Sequence, residues 1–207
     1  MDSKPDFEED LAAIRQLMER SVKVISFSGL SGILAGIYAL AGAALANYFM
    51  LPSAEAGRYS IEDFLRPGQL VELLAIAAVV LLSSLLTGLW LTSKKARRLG
   101  VEMWDESGRR MIINLSIPLI SGGIFILFLL ARDYYGLLAP ACLLFYGLAL
   151  LNASQNLVDE MRYLGLSEII LSWIAMALPG YGLFFWAFGF GVLHILYGAI
   201  LYRKYDA

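Results

Sequence analysis

Six apolar runs divide this chain, at residues 24–49, 70–92, 111–131, 135–151, 164–178 and 181–202, and charged residues gather between them. An α-helix needs about 20 apolar residues to cross the roughly 30 Å hydrocarbon core of a bilayer. Lipid offers no water to backbone polar groups, so segments of this length cross as helices that close their own hydrogen bonds. Hydrophobic residues make up 59% of the chain and charged residues only 16%, whereas soluble domains carry about a quarter charged. The expected fold is therefore all-α and polytopic, with six transmembrane helices in one unit at 24–202. An N-terminal segment at 1–23 and a short tail at 203–207 flank it.

The basic residues orient these spans. Lys4, Arg15, Arg20, Lys23, Lys94, Lys95, Arg97, Arg98, Arg109, Arg110, Arg162, Arg203 and Lys204 fall on one side, and only Arg58, Arg66 and Arg132 on the other. Cytoplasmic loops are enriched in Lys and Arg, so both termini are expected in the cytoplasm, which requires an even number of spans. Tyr48, Tyr59, Tyr134, Tyr135 and Tyr181 lie near the outer boundary, and Trp90, Trp104, Tyr163, Tyr202 and Tyr205 near the inner one. Amphipathic rings favour both interfaces. The acidic N-terminus lacks the basic and small-residue features of a cleaved leader, so the first span is expected to direct insertion into the membrane. A net charge of -2 gives no basic face for nucleic acid. A single cysteine, Cys142, and a single histidine, His194, argue against an internal disulfide, multi-histidine metal sites and bis-histidine haem ligation, so neither metal nor cofactor is expected.

The odd-numbered spans begin alike, with Gly29-Leu30-Ser31, Asn114-Leu115-Ser116 and Gly165-Leu166-Ser167, and the even-numbered ones end alike, around Gly88, Gly147 and Gly198. From serine to glycine the distance is 31 residues in the second and third pairs and 57 in the first, which carries a longer outer loop. This periodicity predicts three tandem helical hairpins, at 24–92, 111–151 and 164–202, around a pseudo-threefold axis. Small residues where a span begins, a Pro179-Gly180 turn and Gly198 near its end give the third hairpin a punctuation that resembles the HdeD-like acid-resistance membrane proteins over about 40 residues. The first hairpin departs from that pattern through its loop, and the N-terminal segment is additional. The chain is also similar to bacterial six-span membrane proteins with no assigned activity. The resemblance implies a non-enzymatic inner-membrane protein linked to stress tolerance, with no catalytic residues to carry over.

Several residues stand out as candidates. Ser28, Gly32 and Gly36 recur every four residues, and small residues let helices approach closely in lipid. That groove serves either packing within the chain, as Gly88, Gly147 and Gly198 would, or a homodimer. An ionisable residue inside a span is costly and is a functional candidate by default. Glu168 and His194 are such a pair, about one and two turns from the inner boundary, close enough to bond if their helices face each other. They form either a proton-responsive site, or a structural arrangement in which His194 bonds Tyr197 or a carbonyl and Glu168 faces water or Arg162. Thr87, Tyr146 and Tyr197 occupy equivalent repeat positions; their hydroxyls either converge on a polar axial ring or bond neighbouring helices separately. Pro118 cannot donate to the Asn114 carbonyl and should kink its span, with Ser116, Ser121, Gly122 and Gly123 nearby to relieve the break.

Phe7, Leu11, Ile14, Met18 and Val22 form one apolar stripe, so an amphipathic helix is expected on the inner membrane surface. Lys94, Lys95, Arg97 and Arg98 suit anionic lipid, though topology alone also accounts for them. No nucleophile elbow, phosphate-cradling loop or paired-carboxylate cluster is present in the sequence. The leading expectation is a non-catalytic envelope or stress-tolerance protein. A small transporter would instead need a wet path lined by Thr87, Asn114, Tyr146, His194 and Tyr197. A lipid-modifying enzyme would need polar residues gathered near Asn152, Asn156 and Glu168.

Overall fold

A computed structural model describes Leu11 and residues 28–50, 67–100, 106–154 and 158–206. Apart from Leu11, the expected surface helix at 1–23 lies outside the described residues, as do residues 51–66 of the segment expected as the first outer loop, and Asn156. Those described form helices and no strand. In chain order they are α1 (Gly29–Met50), α2 (Pro67–Leu99), α3 (Glu106–Ala131), α4 (Leu138–Ala153), α5 (Asp159–Ala177) and α6 (Gly182–Asp206). A single 3-10 turn, Tyr135–Leu137, leads into α4.

Among the described residues, five stretches are long and apolar enough to cross a membrane: Gly29–Phe49, Leu70–Arg98, Gly108–Ala131, Tyr135–Ala153 and Gly182–Asp206. The chain thus has the helical, apolar character of a multi-pass membrane protein. α5 falls outside that group because Asp159, Glu160, Arg162 and Glu168 are spread along it. α2 runs seven residues past its apolar run to Leu99. Its last turn carries Arg97 and Arg98, which complement the negative end of the helix dipole.

α1, α4, α5 and α6 form the centre, with α1 against α6, α4 against α5, and α6 reaching both α4 and α5. α2 flanks the centre against α1, and α3 against α4. None of the most apolar stretch of α2 is buried, and 11% of that of α3, against 39% for α1 and α4. The flanking helices therefore present their leucines and isoleucines outward, as a surface solvated by lipid allows.

Close backbone approach defines the two central seams. A Cβ at Gly198 would stand 2.6 Å from the Ile33 nitrogen and 2.9 Å from the Gly29 carbonyl oxygen of α1. One at Gly147 would stand 2.6 Å from the Gly165 carbonyl oxygen of α5. Glycine is required where backbones meet this closely. Gly36 faces Gly191, and Gly32 faces Gly198, so the small-residue groove of α1 is filled by α6. Gly88, the corresponding glycine of α2, has nothing within 4 Å of its Cβ position.

Polar contacts pin the helix pairs. Pro118 leaves the Asn114 carbonyl without its intrahelical donor, and the Asn152 amide of α4 supplies one at 2.7 Å. Ser116 and Ser121 bond the carbonyls of Ile112 and Ile117 within α3 instead, and Gly122 admits Phe145 of α4. Ser172 of α5 donates to the Pro140 carbonyl of α4 at 2.9 Å. Where α1 begins, the Asp206 carboxylate accepts the Gly29 N–H at 2.6 Å and the Ser28 hydroxyl at 3.1 Å. It also pairs with Lys95 of α2 at 2.6 Å. One carboxylate thus caps α1 and ties it to the ends of α2 and α6.

Candidate functional site

Three polar side chains from three helices meet in one layer of the core. On α5 the buried residues Met161, Leu164, Gly165, Glu168, Ile169, Leu171, Ser172 and Ala175 follow helical spacing, so Glu168 lies in the middle of the packed stripe. Tyr146 faces it from α4 and His194 from α6. Toward one end the core continues through Met111, Leu150, Ala153, Met161, Leu164 and Leu201, and toward the other through Leu143, Leu171, Ala175 and Phe185. The polar layer is thus closed above and below by hydrocarbon.

His194 follows a π-helical turn, Phe188–Leu193. Such wide turns in α-helices occur mostly as single local features, frequently at functional sites. Here the turn contains Gly189 and Gly191. The His194 Nδ1 lies 3.0 Å from the Gly189 carbonyl oxygen. A carbonyl only accepts, so Nδ1 carries a hydrogen in every protonation state. Nε2 lies 2.7 Å from the Tyr146 hydroxyl; it accepts from Tyr146 when the ring is neutral and donates when the ring is charged. Phe190 stacks on His194 with ring centres 5.8 Å apart, and Trp186 packs on Phe190.

Glu168 is fully buried, and neither carboxyl oxygen has a hydrogen-bond partner. Its Oε1 stands 3.6 Å from His194 Nδ1. The room for the carboxyl comes from Gly189, where a Cβ would be 2.5 Å from Glu168 Oε2 and from Leu143 Cδ2. A buried carboxylate without donors costs several kcal/mol. Its counterpart within reach is the imidazole, and Tyr146 is the third titratable group of the layer. With Nδ1 holding its hydrogen on Gly189, the titrating positions are the Glu168 carboxyl and His194 Nε2, and a proton added to or removed from either changes the net charge of the layer.

The other candidate hydroxyls take separate partners. Thr87 lies 3.4 Å from the Tyr38 hydroxyl, between α1 and α2. Tyr197 lies 3.3 Å from Ser167, between α5 and α6. Tyr146 is the one joined to His194, so Thr87, Tyr146 and Tyr197 are not brought together. Arg162 and Glu168 are separated by more than one helical turn of α5. Among the described residues no group of three His, Cys, Asp or Glu side chains is placed to hold a metal. The Tyr146 bond to His194, the Asn152 bond across Pro118 and the Asp206 clasp were not among the sequence expectations. A signal existed for Asn152 alone, since Pro118 demands a substitute donor for Asn114.

A second ionic contact lies nearer the end of the bundle. Glu160 accepts from Lys204 and from Tyr205, the latter at 3.2 Å. Partial burial pushes the Glu160 carboxyl up, but the Lys204 ammonium and the hydrogen bonds outweigh this and hold it below its ordinary range.

No protein-family model, curated protein or solved structure matches this chain.

Proposed function

We propose that this chain is a six-span protein of a bacterial inner membrane with both termini in the cytoplasm, and that it is a non-catalytic, acid-responsive component of envelope stress tolerance. The observation that carries the acid response is Glu168: a fully buried carboxyl without a hydrogen-bond donor, 3.6 Å from the only histidine of the chain. In a net-neutral state the layer packs α4, α5 and α6 together. An added proton leaves an uncompensated positive charge between two apolar clusters, which is costly at this depth. The cost falls on the seam itself, so acid biases the packing of the three helices.

Six spans follow when α5 is counted. Asp159, Glu160 and Arg162 sit at its start, and Glu168 is hidden in the packing, so 164–178 offers lipid an apolar exterior. Three hairpins are supported by the seams, because Gly147 against Gly165 and Gly198 against Gly29 join equivalent repeat positions. The acid response accords with the resemblance to HdeD-like acid-resistance proteins, which we carry forward as part of this proposal.

The test is a pH titration of the full chain in lipid nanodiscs, read by hydrogen exchange across residues 186–197 and by tryptophan emission. Acidification is expected to raise exchange in the wild type. Glu168→Gln and His194→Leu should fold and insert normally, yet move or abolish that transition. A wild type that shows no transition, or variants that titrate like it, would refute the acid response. Loss of folding in both variants would leave the pair a purely structural one.

A further inference from the structure

The last three turns of α2 carry a second site, unrelated to the buried layer. Lys94, Arg97 and Arg98 are exposed there, whereas Lys95 is turned inward onto Asp206. Trp90 is 62% and Leu86 68% exposed, on the same face one and two turns earlier. Positions 86, 90, 93, 94 and 97 follow the spacing of one helical stripe. An open groove of about 530 Å³ runs along it, lined by Leu89, Trp90, Ser93, Lys94, Arg97 and Arg98. Lys94 sits over the Trp90 ring at 5.2 Å. Among the described residues no carboxylate pairs with Lys94, Arg97 or Arg98.

We propose that this face binds an anionic phospholipid, with its phosphate between Lys94, Arg97 and Arg98. The order of chemistry along the stripe matches such a lipid from tail to head. Leu82 and Leu86 offer an apolar track, Trp90 and Ser93 an interfacial step, and the three cations a phosphate seat. Charge complementarity selects the occupant, because clustered cations beside a span attract anionic headgroups, and guanidinium groups bind phosphate through paired donors. The inward concentration of basic residues explains why cations lie at this end of α2. It does not explain why one is diverted to Asp206 while Lys94 and Arg97 share a stripe with Trp90 and Ser93 and Arg98 lines the same groove. The groove is open along the bilayer, which suits a lipid held by both tail and head more than a free anion held by its charge alone.

The experiment is native mass spectrometry of the full chain in detergent, titrated with phosphatidylglycerol or with phosphatidylcholine of the same acyl chains. Phosphatidylglycerol should bind at least tenfold more tightly, in line with roughly one decade or more from three juxtamembrane cations. Lys94→Gln/Arg97→Gln/Arg98→Gln should reduce that preference to about twofold or less, and Lys95→Gln should leave it intact. Ser93→Asp retains every cation, and with them the membrane orientation, and should reduce the preference about fivefold. Inorganic phosphate in large excess should fail to displace the lipid. Equal binding of the two lipids, a preference that survives in the triple variant or in Ser93→Asp, or a preference lost equally in Lys95→Gln would overturn the site. Displacement by inorganic phosphate would overturn the lipid as its occupant.

Discussion

Alanine at position 198 would set a methyl 2.6 Å from the Ile33 nitrogen, 2.9 Å from the Gly29 carbonyl oxygen and 3.0 Å from the Gly32 carbonyl carbon. All three are backbone atoms of α1, so no side-chain rotation relieves the contact. Ordinary contact begins near 3.4 Å, so α1 and α6 must part by about 0.8 Å along this seam. A gap of 0.5–1 Å forfeits roughly a quarter to a half of each atom pair's dispersion energy. With about 40 atom pairs at roughly 0.15 kcal/mol, the loss is about 1.5–3 kcal/mol, in the range of other overpacked cores. Gly147→Ala meets the Gly165 carbonyl oxygen at 2.6 Å and Ile169 Cγ1 at 2.8 Å, and should cost about the same by the same reasoning. Gly88→Ala occupies the equivalent repeat position but meets nothing within 4 Å. It should be neutral, or stabilising by up to about 1 kcal/mol through helix propensity. The assay is thermal unfolding of each purified variant in one detergent, followed by tryptophan emission. Gly198→Ala and Gly147→Ala should lower Tm by roughly 5–10 °C, and Gly88→Ala should not lower it. Equal losses at 88 and 198 would refute the reasoning, because the cost would then belong to glycine in a span and not to backbone approach.

Asn152→Leu should cost about 1–2 kcal/mol by leaving the Asn114 carbonyl unpaired, and much less in a Pro118→Ala background where the helix regains its own donor. Equal costs in the two backgrounds, measured by unfolding, would show that Asn152 acts otherwise. Glu160 is held below its unfolded pKa of about 4.3, so its brace to Lys204 contributes fully above that value and is lost as pH falls through the lowered one. The stability difference between wild type and Glu160→Gln should therefore be small, below about 1 kcal/mol for a pair with one exposed partner, and should vanish on acidification; a difference that grows below pH 4 would contradict the assignment.

The apolar runs were legible because burial in lipid leaves long, uninterrupted stretches, and five of them recur as helices of membrane-crossing length. Their ends were less so. α2 passes through Lys94 to Arg98, and α5 starts at Asp159, because charged residues end an apolar run without ending a helix. The groove on α1 was legible from its spacing of four, but its occupant was not, since periodicity names a face and not the face opposite. Depth counting placed Glu168 and His194 near one level. It gave no view of Tyr146, because which residues of α4 and α6 face each other depends on the helix crossings and on the wide turn at Phe188–Leu193. Asp206 lay beyond any periodic signal, as its partners are 177 and 178 residues away.

Under the three-hairpin proposal, the seams also explain why a carboxyl stands at 168 and not at the equivalent position of the first hairpin. The corresponding residue of the first hairpin, Gly32, lies so near α6 that its Cβ would be 3.2 Å from the Gly198 Cα. A glutamate there would meet backbone. At the α4/α5 seam the backbone contact falls on Gly165, one turn earlier, and Glu168 passes Gly147 with its own Cβ 3.1 Å from the Cβ position of that glycine. Its carboxyl then ends beside Gly189 of α6, whose missing side chain leaves space for the Oε2 oxygen. Gly189 also supplies the carbonyl that fixes the hydrogen on His194 Nδ1. A single glycine in the π-helical turn therefore does two things at once: it admits the acid and it orients the base. Loss of that turn would deny Glu168 its space and His194 its anchor together, which is why the proton-responsive behaviour and the local helix geometry should rise and fall as one property.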